Sequence, residues 1–168
     1  MIWLTGLPCS GKTTLGYQLH DMLKNSIVLD GDEIRKTFNA DLGRGPEDRK
    51  EAHRRITEVA KENLLMHSYV IVCVVSPDGA LRRTARRTME SSGHRFVEVY
   101  VKAPISVCID RDIKGMYKKA LVGEDFRMPG LNDSYDEPDD AEVICNTDQE
   151  TVRQSIDKIV AYLKECTA

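Results

Sequence analysis

Residues 6–13 read GLPCSGKT, with Gly6, Gly11, Lys12 and Thr13 in the order G-x-x-x-x-G-K-[ST]. A loop of this kind curls backbone N–H groups around phosphate oxygens at the positive end of a helix. The chemistry expected of Gly6, Leu7, Pro8, Cys9, Ser10, Gly11, Lys12, Thr13 and Thr14 is therefore to cradle the phosphates of ATP. Lys12 is expected to reach the β- and γ-phosphates as a catalytic residue, and the Thr13 hydroxyl to ligate Mg²⁺. Cys9 reads as a small filler inside the loop.

A second group lies in LDGDEIRKTF, where Asp30 and Asp32 are two apart and Arg35 is one helical turn beyond Asp32. Two carboxylates so close can divide two jobs, one holding hydrated Mg²⁺ and the other accepting the proton of an attacking hydroxyl. Asp30 is assigned to the metal with Thr13, and Asp32 to the acceptor hydroxyl. Arg35 shares the face of Asp32. The plainer reading of Asp32 and Arg35 is a helix cap with a local ion pair. Further on, FNADLGRGPEDRK (38–50) sets Arg44 and Arg49 on either side of a Gly-Pro turn. A cation near a helix start opposes the macrodipole by a few tenths of a kcal/mol, so Arg49 needs another reason to be there.

The elements that must position these groups can be read from the apolar pattern. IWLT (2–5), SIVLD (26–30), YVIVCVV (69–75), FVEVYV (96–101) and EVICN (142–146) are short runs rich in β-branched and aromatic residues. Near-continuous apolar runs suit strands covered on both faces. Helical periods lie between them, including Leu15, Leu19, Met22 and Leu23, a helix from about 47 to 67, and Val152, Ile156, Ile159, Val160 and Leu163. Strand alternating with helix predicts an α/β fold with a parallel sheet between helical layers. Residues 112–140 start helical and turn polar and loop-rich, as a lid would. One domain over 1–168 is expected.

With 41% hydrophobic and 30% charged residues, the composition is that of a globular protein. A formal net charge of −3 argues against a nucleic-acid surface spread over the domain. The five cysteines form no CxxC pair and read as reduced thiols. No run approaches a membrane span and no signal peptide is read, so a cytoplasmic location without membrane partners is expected. The Asn/Thr-Lys-x-Asp guanine reader of switch GTPases is missing, since CNTDQ lacks the lysine. YVIVCVV ends in Ser76-Pro77, where a motor ATPase would place its acid. Acids on the second strand and a late lid suit a small kinase using Mg-ATP.

GLPCSGKTT, LDGDEIRKTFNADLG, EDR with RRITEVAK, VSP, RDIKGMYKKALVGE and PGLNDSYDEP together resemble the adenylylsulfate kinases, in order over nearly the whole chain. That resemblance implies a three-layer P-loop NTPase fold with a five-stranded parallel sheet, a mobile lid and a homodimer. It implies transfer of the ATP γ-phosphate to the 3′-hydroxyl of adenosine 5′-phosphosulfate (APS). Asp32, Arg35, Asn39, Arg44, Arg49, Val75, Ser76, Lys114, Met128 and Gly130 would then face the acceptor, and Arg111, Asn146 and Thr147 the ATP base. Family descriptions sometimes make the serine at Ser76 a phosphorylated catalytic intermediate. No activating base is visible beside it in sequence, and a substrate contact is the reading adopted.

Four positions depart from the family pattern: Arg44 and Met128 stand where adenine-stacking phenylalanines are usual, Ala52 replaces an Asn and Gly79 an Arg. Arg and Met can both lie against a base. A different nucleotide acceptor, such as cytidine diphosphoramidate, is the alternative; a nucleotide-binding regulator without turnover is the third reading. ALRRTARRT (80–88), with four arginines, reads as a solvated helix face in which Arg82 and Arg86 match family arginines. His20, His53, His67 and His94 read as surface or packing residues, and Tyr117 and Tyr135 as packing or lid anchors.

Overall fold

The structure, a computed structural model, describes residues 1–123 and 127–166. Five parallel strands, β1 (Ile2–Thr5), β2 (Ser26–Asp30), β3 (Tyr69–Cys73), β4 (Val97–Lys102) and β5 (Val143–Asn146), pair in the order β2-β3-β1-β4-β5. Each expected strand is present. β3 ends at Cys73, short of the expected Val75, where its pairing with β2 stops at Asp30, although Val74 N still donates to Leu4 O at 3.1 Å. The Thr5 hydroxyl donates to Val75 O at 2.8 Å, and Ser76 turns with φ +50°.

The helices are α1 (Lys12–Met22), α2 (Gly31–Lys36), α3 (Pro46–Asn63), α4 (Gly79–Ser91), α5 (Ile105–Arg111), α6 (Met116–Leu121) and α7 (Val152–Glu165). Leu15 and Leu19 of α1 and Ile156, Ile159 and Leu163 of α7 pack on one face of the sheet with Ile2, Leu4 and Val99. Ile56 and Ala60 of α3 and Ala85 and Met89 of α4 cover the other face, over Trp3, Val70 and Val72. Each such large aliphatic side chain contributes roughly 1.5–3 kcal/mol by leaving water. Burial on both faces explains why the strands read as continuous apolar runs.

β1 connects towards β2 at one edge of the sheet while β4 connects towards β5 at the other. Their C-terminal loops diverge and open a crevice where open parallel sheets bind ligands. A smaller cluster of Ala103, Cys108, Tyr117 and Met128 joins α5, α6 and the segment after it to Leu7 and Cys9. Of the expected lid at 112–140, residues 124–126 lie outside the described residues.

Candidate active site

The phosphate loop runs from the buried end of β1 into α1. Gly6 must be glycine, since a Cβ there would fall 2.3 Å from Val101 O. Gly11 caps α1 with φ +108°, a left-handed conformation that glycine adopts without strain. Lys12 is 8% exposed, and its Nζ donates to Gly6 O (2.9 Å) and Leu7 O (2.7 Å) of its own loop. Burial pushes its ammonium down to about 8. The next hydroxyl, Thr13 Oγ1, donates to Asp30 Oδ2 at 2.7 Å, bringing together the two groups expected to hold a metal. Among the described residues there is no cluster of three metal-binding side chains. A hydroxyl and a carboxylate beside a phosphate loop nevertheless fit Mg²⁺, which keeps waters and takes phosphate oxygens as its remaining ligands.

Asp30 also caps α2, accepting from Asp32 N at 2.9 Å through Oδ1. That cap turns Asp32 into the mouth of the cavity, where its carboxylate pairs with Lys114 from the turn between α5 and α6. Arg35 donates weakly to Gly43 O at 3.4 Å. Arg49 pairs with Asp133, and its helix begins with Pro46, Glu47 and Asp48, which offset its unfavourable place near the N-terminus. Partial burial, followed by the charges of Arg35 and Arg49, lowers the pKa of Arg44, so three guanidinium groups share this end. Asn39 is 6% exposed, and its Oδ1 lacks a protein hydrogen-bond partner.

At the opposite end Arg111, the last residue of α5, donates to Thr147 O (2.6 Å) and Thr147 Oγ1 (3.1 Å). Thr147 Oγ1 donates to Ser10 O at 2.6 Å, so the phosphate loop, α5 and the β5–α7 turn are tied together. Tyr117 is fully buried and donates to Pro8 O at 3.1 Å, and Tyr135 meets Thr5 Oγ1 at 3.0 Å. Both tyrosines pack, as expected; Tyr117 also ties α6 to the phosphate loop, and Tyr135 ties its segment to the end of β1.

One cavity of about 630 Å³ brings most of the expected residues together, from Pro8 to Thr14 through Asp30, Asp32, Arg35, Asn39, Arg44, Arg49, Val75 and Ser76 to Arg111, Lys114, Met128 and Thr147. Gly6, Leu7, Gly130 and Asn146 are not in its wall. Gly130, with φ +85°, packs on the Leu7 side chain, and Asn146 N is bound by Glu150 Oε1 at 3.0 Å. Met128 is 2% exposed and belongs to the small cluster around Tyr117, so it meets the cavity with little surface.

Two expectations from the sequence do not hold in the structure. Arg82 and Arg86 are not a solvated face: Arg82 is 3% exposed, with Nε 2.8 Å from Glu98 Oε1 in a close ion pair angled poorly for a hydrogen bond. Arg86 pairs with Glu142 at 2.6 Å. These arginines do reach anionic groups, but groups of the protein itself. Nor is Ser76 without a basic neighbour, since His53 Nε2 lies 3.2 Å from its Oγ. Arg49, Ala52, His53 and Ile56 all line the cavity. Their i, i+3, i+4, i+7 spacing is a signal that would have turned His53 towards the site.

A phosphate loop behind the central strand of a five-stranded parallel sheet defines the P-loop NTPase fold. The adenylylsulphate kinase family profile matches residues 1–146. An adenylyl-sulfate kinase of Paraburkholderia xenovorans is 43% identical over 97% of this chain and 92% of its own. One of Rippkaea orientalis is 44% identical over 98% of this chain and 91% of its own. The APS kinase of Mycobacterium tuberculosis, solved with AMPPNP and APS, superposes with a TM-score of 0.88 at 30% identity, covering 97% of this chain and 96% of that one. The chain belongs to the adenylylsulfate kinase family.

Proposed function

We propose that this protein transfers the γ-phosphate of ATP to the 3′-hydroxyl of APS. The observation that carries the reading is the single cavity running from the phosphate loop, past Asp30 and Asp32, to Arg35, Arg44 and Arg49. It offers a donor end and an anion-binding acceptor end with a carboxylate between them. Lys12 exchanges its loop carbonyls for the β- and γ-phosphate oxygens; Thr13 and Asp30 would hold Mg²⁺, which would supply charge neutralisation at the phosphates. Asp32 leaves Lys114, orients the acceptor hydroxyl and takes its proton. Lys114 is then free to meet the acceptor or the transferring phosphate. Arg111 and Thr147 flank the ATP base. Residues 112–140 act as the lid, the chain works as one domain in the cytoplasm, and two copies form a homodimer, to be checked by sedimentation.

Arg44 favours a second reading in which another anionic nucleotide, such as cytidine diphosphoramidate, is the acceptor. A panel of APS, cytidine diphosphates and simple alcohols with Mg-ATP, ranked by kcat/KM, decides. APS is expected to rank first. A pyrimidine nucleotide turning over while APS does not would establish the second reading, and no turnover with any acceptor would support the regulator.

A further inference from the structure

His53 is used by none of the steps above. It follows Arg49 by one turn of α3, and both line the cavity. Its Nε2 lies 3.2 Å from Ser76 Oγ, while its Nδ1 is buried without a protein hydrogen-bond partner. The ring sits against Trp3, with centroids 5.7 Å apart and planes tilted by 38°, so its orientation is held. Ser76 is 3% exposed and its backbone is fixed separately, since Arg82 Nη1 donates to its carbonyl at 2.7 Å.

Burial pushes His53 down to about 4, so the imidazole is neutral near pH 7, with one nitrogen donating and the other accepting. If Nδ1 carried the proton, a buried N–H would be left unpaired, the rarer and costlier kind of orphan. The proton on Nε2 avoids this, and is also the intrinsically favoured tautomer of the histidine side chain.

We infer that His53 is a positioning residue of the acceptor end, whose Nε2–H donates to Ser76 Oγ and leaves the serine hydrogen to donate to an anionic oxygen of the acceptor. In this tautomer Nε2 has no lone pair to receive the serine proton, so Ser76 serves as a donor and not as a nucleophile. The inference rests on the proposal that the acceptor's anionic group occupies this end of the cavity.

Two measurements on the full chain test it. Nitrogen-15 spectra of the histidine-labelled protein, assigned by loss of the signal in His53→Gln, are expected to show the Nε2–H tautomer; an Nδ1–H spectrum overturns the inference. A cycle of Ser76→Ala, His53→Leu and the double variant, assayed with APS at saturating Mg-ATP, forms the second. Each single change is expected to raise acceptor KM roughly tenfold with kcat within about threefold. The double variant should be no worse than Ser76→Ala, and His53→Gln, whose amide can still donate, should regain most of the loss. Additive losses, or no regain in a His53→Gln protein that melts normally, overturn the inference. Failure of the unaltered chain to turn over APS would count against the proposed function alone. The same cycle, read as equilibrium binding of inorganic pyrophosphate with ADP saturating the donor end, then decides the role of His53 by the same pattern.

Discussion

Asp32 and Lys12 carry opposite charges into one cavity, and each is engaged by the protein itself, Asp32 by Lys114 and Lys12 by the carbonyls of Gly6 and Leu7. Substrates must therefore exchange partners with both. Asp32→Asn keeps the shape of the side chain and removes the proton acceptor. It should lower kcat about 10²- to 10⁴-fold while acceptor affinity changes little; equal loss of both in single-turnover and binding measurements would contradict the assigned role. Lys12, held down to about 8 by burial, should regain an ordinary lysine pKa beside phosphate. Binding of ADP is then expected to take up about one proton near pH 9 and almost none near pH 7, as read by calorimetry in buffers of different ionisation heat. His53 has a depressed folded pKa of about 4, so below an unfolded value near 6.5 the unfolded chain binds the extra proton and stability is lost as pH falls towards 4. Between pH 6.5 and 4 the loss from this group should reach roughly 3 kcal/mol, and His53→Gln should flatten that part of the stability curve in urea titrations.

At the scale of elements, α4 is bound to the sheet by charge as well as by Ala85 and Met89. Arg82 and Glu98 face each other with side chains 4% exposed, and Arg86 extends the network to Glu142 ahead of β5. Arg82→Ala would leave the buried Glu98 with only the more distant Arg86, whose Nη2 is 3.6 Å away, and should cost about 3 kcal/mol in chemical denaturation. Replacing both partners with apolar residues of similar volume should restore most of that. The sequence reading put these arginines in solvent because charge-rich helices usually are; Glu98 sits in the apolar run FVEVYV, and that lone acid was the available sign of a buried partner. The five strands were legible because burial on both faces leaves unbroken runs. α2, α5 and α6, of 6, 7 and 6 residues, were not resolved as separate helices because fewer than two turns show no period.

For the whole molecule, the loop proposed to hold the donor phosphates was readable because Gly6 to Thr14 are contiguous in sequence, whereas Arg111 and Thr147 are brought beside it only by the fold. The acceptor end is assembled by the fold. Asp32 meets Lys114 across 82 residues, Arg49 meets Asp133 across 84, and Ser76 meets His53 across 23. No local pattern announces such pairs, and the resemblance to a family supplied positions without the contacts between them. His53, placed among surface and packing histidines, shows the cost of that gap. Every role proposed for these residues depends on where the phosphate goes. Phosphorus-31 spectroscopy of a reaction of the full chain with Mg-ATP and APS reads this directly. A new phosphomonoester coupled to the ribose 3′ proton is expected, with ADP formed in equal amount and no phosphate retained on Ser76. ADP release independent of APS, or phosphate on another hydroxyl, would contradict it.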